Sequence, residues 1–370
     1  MKAFLIKLSF FLAPVLLFVL PPYYHLYSSG ENFKDIEQTI AQKENFLIGY
    51  THNEQNYAYL KWKTITTRPK LDVMVLGSSR ALPFREKMFD APFYNAGYTI
   101  KTLNDFIPFL EGIPKEKHPK YLIVSLDQWM FNENSHNLDT TPDKKSWSNS
   151  FKKIPNNRLC FKIWKNFLSG KAKLSVAKPN DNKIGLNAIL NNTGFKNDGS
   201  MYYGLQISKL IKEDETAMDF QCSATLNRIR IAGSKFQYGD KINSKALSKL
   251  SEVVKYCEQH KIKLIAFFPP YADKVYKAMK ESGKYHYLDE LTKSVEPILA
   301  KHEFYDFSTV SNCGSNDQEV IDGFHGSEVT YQRMLIKMLK ANSVLNKTTE
   351  LSRLEDDLAK RENRYIIYKN

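Results

Sequence analysis

A serine, a histidine and an aspartate in this sequence have the types and order of an acyl-transfer site. Ser79 lies in the stretch LDVMVLGSSR, Leu71 to Arg80, where an apolar run meets Gly77-Ser78-Ser79. Asp322-Gly323-Phe324-His325 sets a carboxylate and an imidazole three residues apart, so that one loop turn can point both the same way. A serine hydroxyl is a poor nucleophile until a base takes its proton. Histidine is the usual base because its pKa lies near neutrality, and a carboxylate holds it in one tautomer by accepting from the other ring nitrogen. The oxyanion formed on attack needs preorganised donors. The backbone amides at Ser79 and Gly97 are the candidates, and glycine at 97 lets the backbone come close to a substrate. Asn95, Asp127 and Gln128, near the ends of neighbouring strands, are the candidate substrate-binding residues. Each piece also has a plainer reading. Gly-Ser-Ser is often a strand-to-helix turn with a capping serine, or a phosphate-binding nest. Asp-x-x-His is also a loop hydrogen bond or half of a metal site.

The elements that position these residues follow an α/β rhythm. Leu71 to Leu76 reads as a buried strand of a parallel sheet. Further strands are expected at Phe93 to Asn95, Lys120 to Leu126, Lys263 to Phe268 and Phe304 to Phe307. Helices are expected at Thr99 to Leu110, Ser244 to His260, Asp273 to Met279, Leu288 to Lys301 and Val329 to Leu345, from apolar residues at helical spacing. Alternating strands and helices predict a parallel sheet with helices on both faces. Ser79, Gly97, Asp127, Asp322 and His325 all follow strands, so that sheet gathers them on one edge, where ligands bind in such folds. Residues 132–240 break the rhythm and read as an insertion, a lid or a substrate-facing cap. The expected organisation is an anchor at 1–27, a connector at 28–70, the α/β domain at 71–345 and a charged helical tail at 346–370.

Hydrophobic residues make up 42% and charged residues 25% of 370, enough apolar content for a buried core, which argues against disorder. The formal net charge is +13 with lysines spread along the chain, and no zinc-finger or aromatic-basic signature points to nucleic acid. A basic surface also suits an anionic polymer or a membrane face. The four cysteines, Cys160, Cys222, Cys257 and Cys313, form no CxxC motif. They allow two disulfides in an oxidising compartment or buried thiols. No metal site is expected. Phe4 to Leu20 is almost wholly apolar behind Lys2, and no acidic residue precedes Glu31. It reads as a signal anchor with Tyr23, Tyr24 and Tyr27 at the far interface. A cleaved signal peptide is the competing reading, and it lacks an A-x-A-like cleavage pattern. Both export the rest of the chain.

These blocks resemble the SGNH (GDSL-type) hydrolase superfamily. Its Gly-Asp-Ser block resembles Gly77-Ser78-Ser79, its oxyanion-glycine block Asn95-Ala96-Gly97, and its last block Asp322-x-x-His325. The likeness covers residues 71–130 and 244–345. Ser78 stands where most members carry aspartate, and Ser125-Leu126-Asp127-Gln128-Trp129 lacks the oxyanion asparagine of the third block. With the anchor, the chain is similar to a branch that works beside membrane-bound O-acyltransferases in polysaccharide O-acetylation and teichoic-acid D-alanylation. The resemblance implies a flavodoxin-like three-layer α/β/α sandwich. It implies Ser79 as nucleophile, His325 as base and then acid, and Asp322 as its orienter. It implies no cofactor, a polysaccharide or glycan substrate, and a membrane-bound O-acyltransferase partner. The implied location is a single pass in the inner membrane with the domain on the exported side. A catalytically inactive glycan-binding or scaffold protein of the same fold is the alternative, and a phosphate-binding module is a third.

Overall fold

The computed structural model describes residues 1–31, 40–41, 46–135, 138–139, 156–170 and 182–368. The chain divides into two units, one of residues 1–57, 151–197 and 202–205, the other of 58–150, 198–201 and 206–370. The stretch expected as a single insertion is thus split between them.

The first unit begins with α1, Lys2–Ser29, whose most apolar window has a mean hydropathy of 2.5 and no buried residue. It is long and apolar enough to cross a membrane. Gly30 ends it in the left-handed conformation, φ 75°. Proline at 22 has no N–H, so the carbonyl four residues back, Phe18, loses its helical partner. The indole Nε1 of Trp164, on α2 (Asn156–Leu168), donates to that carbonyl at 2.7 Å. Phe18 also packs edge-on to Phe161 and stacks on Trp164, with centroids at 5.3 and 6.0 Å. Just beyond α1, the buried Glu31 carboxylate accepts the backbone N–H groups of Thr51, His52 and Leu186 at 2.7, 3.1 and 3.0 Å. Burial raises its pKa against the pull of these donors. Leu47–Ile48 pairs parallel with Lys183–Ile184 and antiparallel with Thr193–Phe195 in a small sheet.

The second unit is an α/β structure on a five-stranded parallel sheet. Its strands are β1 (Val73–Gly77), β2 (Phe93–Gly97), β3 (Tyr121–Ser125), β4 (Lys263–Phe268) and β5 (Glu303–Asp306). They lie in the order β2-β1-β3-β4-β5, all parallel. Side chains alternate along each strand. Met74, Leu76, Leu122, Val124, Leu264, Ala266 and Phe268 face one core. Val73, Val75, Ile123, Ile265 and Phe267 face the other. The first core contains Ile229 of α3, Ser223–Arg230, and Leu250, Val253 and Cys257 of α4, Ser244–Gln259, while the second contains Met334, Leu335 and Met338 of α5, Glu328–Lys340. Both faces of the sheet are therefore covered, which is why the strands are apolar throughout.

Three expected helices are shorter than the apolar spacing suggests, and the one expected at Leu288 to Lys301 is α-helical only over Tyr287–Val295 before tightening to a 3-10 turn at Glu296–Leu299. The Asp105 carboxylate accepts the N–H groups of Lys101 and Thr102 at 2.8 Å each, closing a capping box that delays the first turn to Leu103. Asn342, at φ 61°, ends α5 before Leu345. The tail helix covers only Leu351–Ala359, α6, and buries Leu354 in the second core. All four cysteines are buried free thiols.

Candidate active site

The chemistry gathers at the carboxyl end of β1. Gly77 ends the strand where a Cβ would stand 2.7 Å from the Cβ of Ser125 on β3, so only glycine allows the two strand ends to approach. Ser78 then caps a short 3-10 turn, Ser79–Ala81, its hydroxyl accepting from Arg80 N at 3.1 Å. This turn lifts the half-buried Ser79 off the sheet edge.

Ser79 Oγ lies 2.9 Å from His325 Nε2, and His325 Nδ1 lies 2.7 Å from Asp322 Oδ2. Asp322 ends β6, Val320–Asp322, and His325 begins β7, His325–Gly326. The turn between them aims both side chains at Ser79. Asp322 Oδ1 accepts the backbone N–H of Phe324 and of His325, each at 2.9 Å. Burial would raise the Asp322 pKa, but His325 and these hydrogen bonds outweigh it and hold the carboxyl below the usual carboxylate range. An ionised Asp322 accepts a hydrogen bond from Nδ1–H, which holds the tautomer whose Nε2 lone pair faces the serine.

The turn is clamped from both sides. Asp219 Oδ2 accepts Gly323 N–H at 2.8 Å and the Thr225 hydroxyl, while Asp219 Oδ1 accepts Thr225 N–H at 2.8 Å. A Cβ at Gly323 would meet Thr225 side-chain atoms at 2.6–2.8 Å. Arg80, fully buried, donates to Phe324 O at 2.8 Å, Gln128 Oε1 at 2.7 Å and Pro269 O at 2.7 Å. Its guanidinium stacks over Tyr271 at 4.2 Å and Trp129 at 5.1 Å. Arg80 thus ties the Ser79 turn to the histidine turn. It is not among the residues expected at the site, though a lone cation ahead of the buried Ala81-Leu82-Pro83-Phe84 is a signal of internal pairing.

Four expected site residues sit differently. Gly97 N–H is engaged by Asn95 Oδ1 at 2.8 Å, so it is not a waiting oxyanion donor. Gly97 is glycine because a Cβ there would stand 2.8 Å from that same oxygen. Asn95 is fully buried, and its amide donates to the carbonyls of Ala81, Leu82 and Phe84 at 2.9, 3.2 and 2.9 Å. It shapes the chain after Ser79 and does not face a substrate. Gln128 is also fully buried, with Nε2 donating to Pro269 O at 2.9 Å and Ser308 Oγ at 3.2 Å. Asp127 is fully buried 3.5 Å from Arg80 Nη1. Burial pushes its pKa up, against the opposing pull of Arg80 and the Ser78 hydroxyl. A substrate-binding role for these three gives way to internal hydrogen bonding and ion pairing. The Ser79 N–H meets no acceptor among the described residues, so it is the remaining candidate for an oxyanion donor. Among the described residues no group of three or more His, Cys, Asp or Glu side chains is placed to hold a metal.

No protein-family model, curated protein or solved structure matches this chain.

Proposed function

We propose that the chain is a membrane-anchored serine esterase or O-acyltransferase of the flavodoxin-like SGNH type, working on cell-envelope or secreted polysaccharide. The observation that carries the reading is the hydrogen-bonded series Ser79–His325–Asp322 at the carboxyl end of a central parallel strand. The strand order 2-1-3-4-5 supports the fold assignment, because that order reverses direction beside the first strand and ligands bind at such a switch point. Lys2 and Lys7 lie in the first turns of α1, which supports export of the chain beyond it.

In the proposed reaction His325 Nε2 takes the Ser79 proton as Oγ bonds to an acyl carbonyl carbon. The tetrahedral oxyanion is met by the Ser79 N–H. Collapse breaks the bond to the leaving alcohol, which receives the proton from His325. Water or a sugar hydroxyl then gives its proton to His325, attacks the acyl-serine, and releases acid or a new ester with Ser79 reprotonated. Losing one oxyanion donor typically costs about 10²–10³-fold, so with Gly97 N–H engaged the reading expects slow turnover of unactivated esters.

The engaged Gly97 amide also favours a second reading, a glycan-binding scaffold of the same fold beside a membrane O-acyltransferase. Release of acid from p-nitrophenyl acetate by the full chain separates the two. Acyl transfer predicts measurable release that Ser79→Ala and His325→Ala each abolish. A folded wild type with no more release than Ser79→Ala supports the scaffold.

A further inference from the structure

Two cations stand beside the triad without an ion-pair partner in contact among the described residues, although the Asp127 and Asp322 carboxylates act on Lys235 from further off. Lys235 Nζ lies over the Trp129 ring at 4.9 Å and the Phe324 ring at 5.5 Å. The Arg228 guanidinium lies over the same Phe324 ring at 5.4 Å. Phe324 is the neighbour of the base, its ring 4.2 Å from the His325 ring. Trp129 and Phe324 are buried, 2% and 6% exposed, so the cations cover them. Neither cation makes an ion pair among the described residues.

The backbone points the same way. Lys235 adopts φ 68° and Ala232 φ 50°, a left-handed region that side chains with a Cβ enter at a cost. Backbone strain of this kind persists where the surroundings over-determine it, and it concentrates at ligand sites. Here the surroundings are the next residue, Phe236, which is fully buried with its ring 5.8 Å from Phe324 and 5.9 Å from Tyr271. A glycine would occupy position 235 without strain, yet a lysine stands there. Two like charges around one ring repel each other, and burial pulls the Lys235 ammonium below its usual range against the opposing pull of Asp127 and Asp322. A ligand anion would relieve both costs.

We propose that Lys235 and Arg228 form a subsite for a negatively charged group, carboxylate or phosphate, on the sugar whose ester meets Ser79. The substrate class is therefore an anionic glycan. The claim rests on the acyl-transfer reading for the position of the ester and on its own geometry for the charge. Rings behind the cations hold their heads in place, and a bidentate carboxylate or phosphate matches the arginine fork.

The test measures equilibrium binding to the full chain in detergent, carrying Ser79→Ala so that no turnover intervenes. The probes are an oligoglucuronate, its carboxyl-reduced neutral counterpart and glucose 6-phosphate. At least one anionic probe is expected to bind ten-fold or more tighter than the neutral one, with affinity falling as salt rises. The ratio of the two anions tells carboxylate from phosphate. Lys235→Gly, which relieves the strained backbone, is expected to keep or raise thermal stability and to lose ten-fold or more in affinity for the preferred anion. Arg228→Gln is expected to lose affinity in the same way, whereas Lys293→Met, on an exposed helix face, leaves it unchanged. Equal binding of neutral and anionic probes, or unaltered binding by Lys235→Gly, overturns the subsite. Anion selectivity in a protein whose Ser79 never acylates would keep the subsite and remove the acyl-transfer reading.

Discussion

At the scale of single residues, the chemistry depends on the ionisation of the buried carboxylates. Asp322→Asn keeps an oxygen for the two backbone N–H groups but faces His325 Nδ1 with a donor, which favours the wrong tautomer. We expect acylation to fall on the order of 10⁴-fold with the fold intact, read by stopped-flow with p-nitrophenyl acetate. Asp322 is held below its ordinary pKa, so its contribution to stability is present above the usual carboxylate range and is lost as pH falls through the lowered value. Asp127 acts in the opposite sense. Its raised pKa favours the fold at low pH, and that advantage is lost as pH rises. Arg80→Met leaves the Asp127 carboxyl and the acceptors Phe324 O and Pro269 O without their cation. Breaking a buried pair in this way costs about 3–5 kcal/mol, measurable by denaturant titration, and a cost below about 1 kcal/mol would contradict the role given to Arg80. The series Ser79–His325–Asp322 is legible in the sequence because Ser79 follows an apolar strand and the Asp-x-x-His spacing is chemically distinctive. Asn95, Asp127 and Gln128 mislead for a physical reason. A polar residue at a strand end has the same spacing whether it faces solvent or folds back to hold the backbone, and only the packing of Arg80 and the Ala81–Phe84 segment decides between them.

At the scale of elements, turns carry the precision. Gly323→Ala places a methyl group against Thr225 and pushes the turn between Asp322 and His325 away from Asp219. The expected outcome is loss of most serine acylation with little loss of secondary structure, measured by active-site titration beside circular dichroism. Retained acylation would show that the turn tolerates the shift. In the first unit, Trp164→Phe removes the donor to the carbonyl that Pro22 releases. A lost hydrogen bond of this kind costs about 1 kcal/mol, and an unmet carbonyl in a lipid environment costs several. The variant is therefore expected to be cleaved faster by protease near residues 156–170, in full-length protein reconstituted in vesicles. The five strands of the parallel sheet are legible from their apolar runs, with ends within about two residues. The late start of the helix after Thr102 is not, because the Asp105 capping box competes locally with an apolar spacing that continues upstream.

At the scale of the molecule, the parallel sheet joins residues far apart in sequence, since Ser79 and His325 are 246 positions apart and share a hydrogen bond. The stretch 132–240 reads as one insertion, yet α2 belongs with the apolar N-terminal helix while Asp219, Arg228 and Lys235 stand by the turn between Asp322 and His325. Composition alone does not divide such a stretch, because both parts are rich in lysine, asparagine and aromatic residues. The net charge of +13 extends the local pair of cations into a general attraction for anionic polymers, which salt weakens. The most direct measurement of the central claim is covalent trapping by a fluorophosphonate. Intact mass and peptide mapping of the full chain are expected to show one adduct, on Ser79, absent from Ser79→Ala and slowed at least a hundred-fold in His325→Ala. An unlabelled wild type, or an adduct that persists in Ser79→Ala, would contradict a nucleophilic serine.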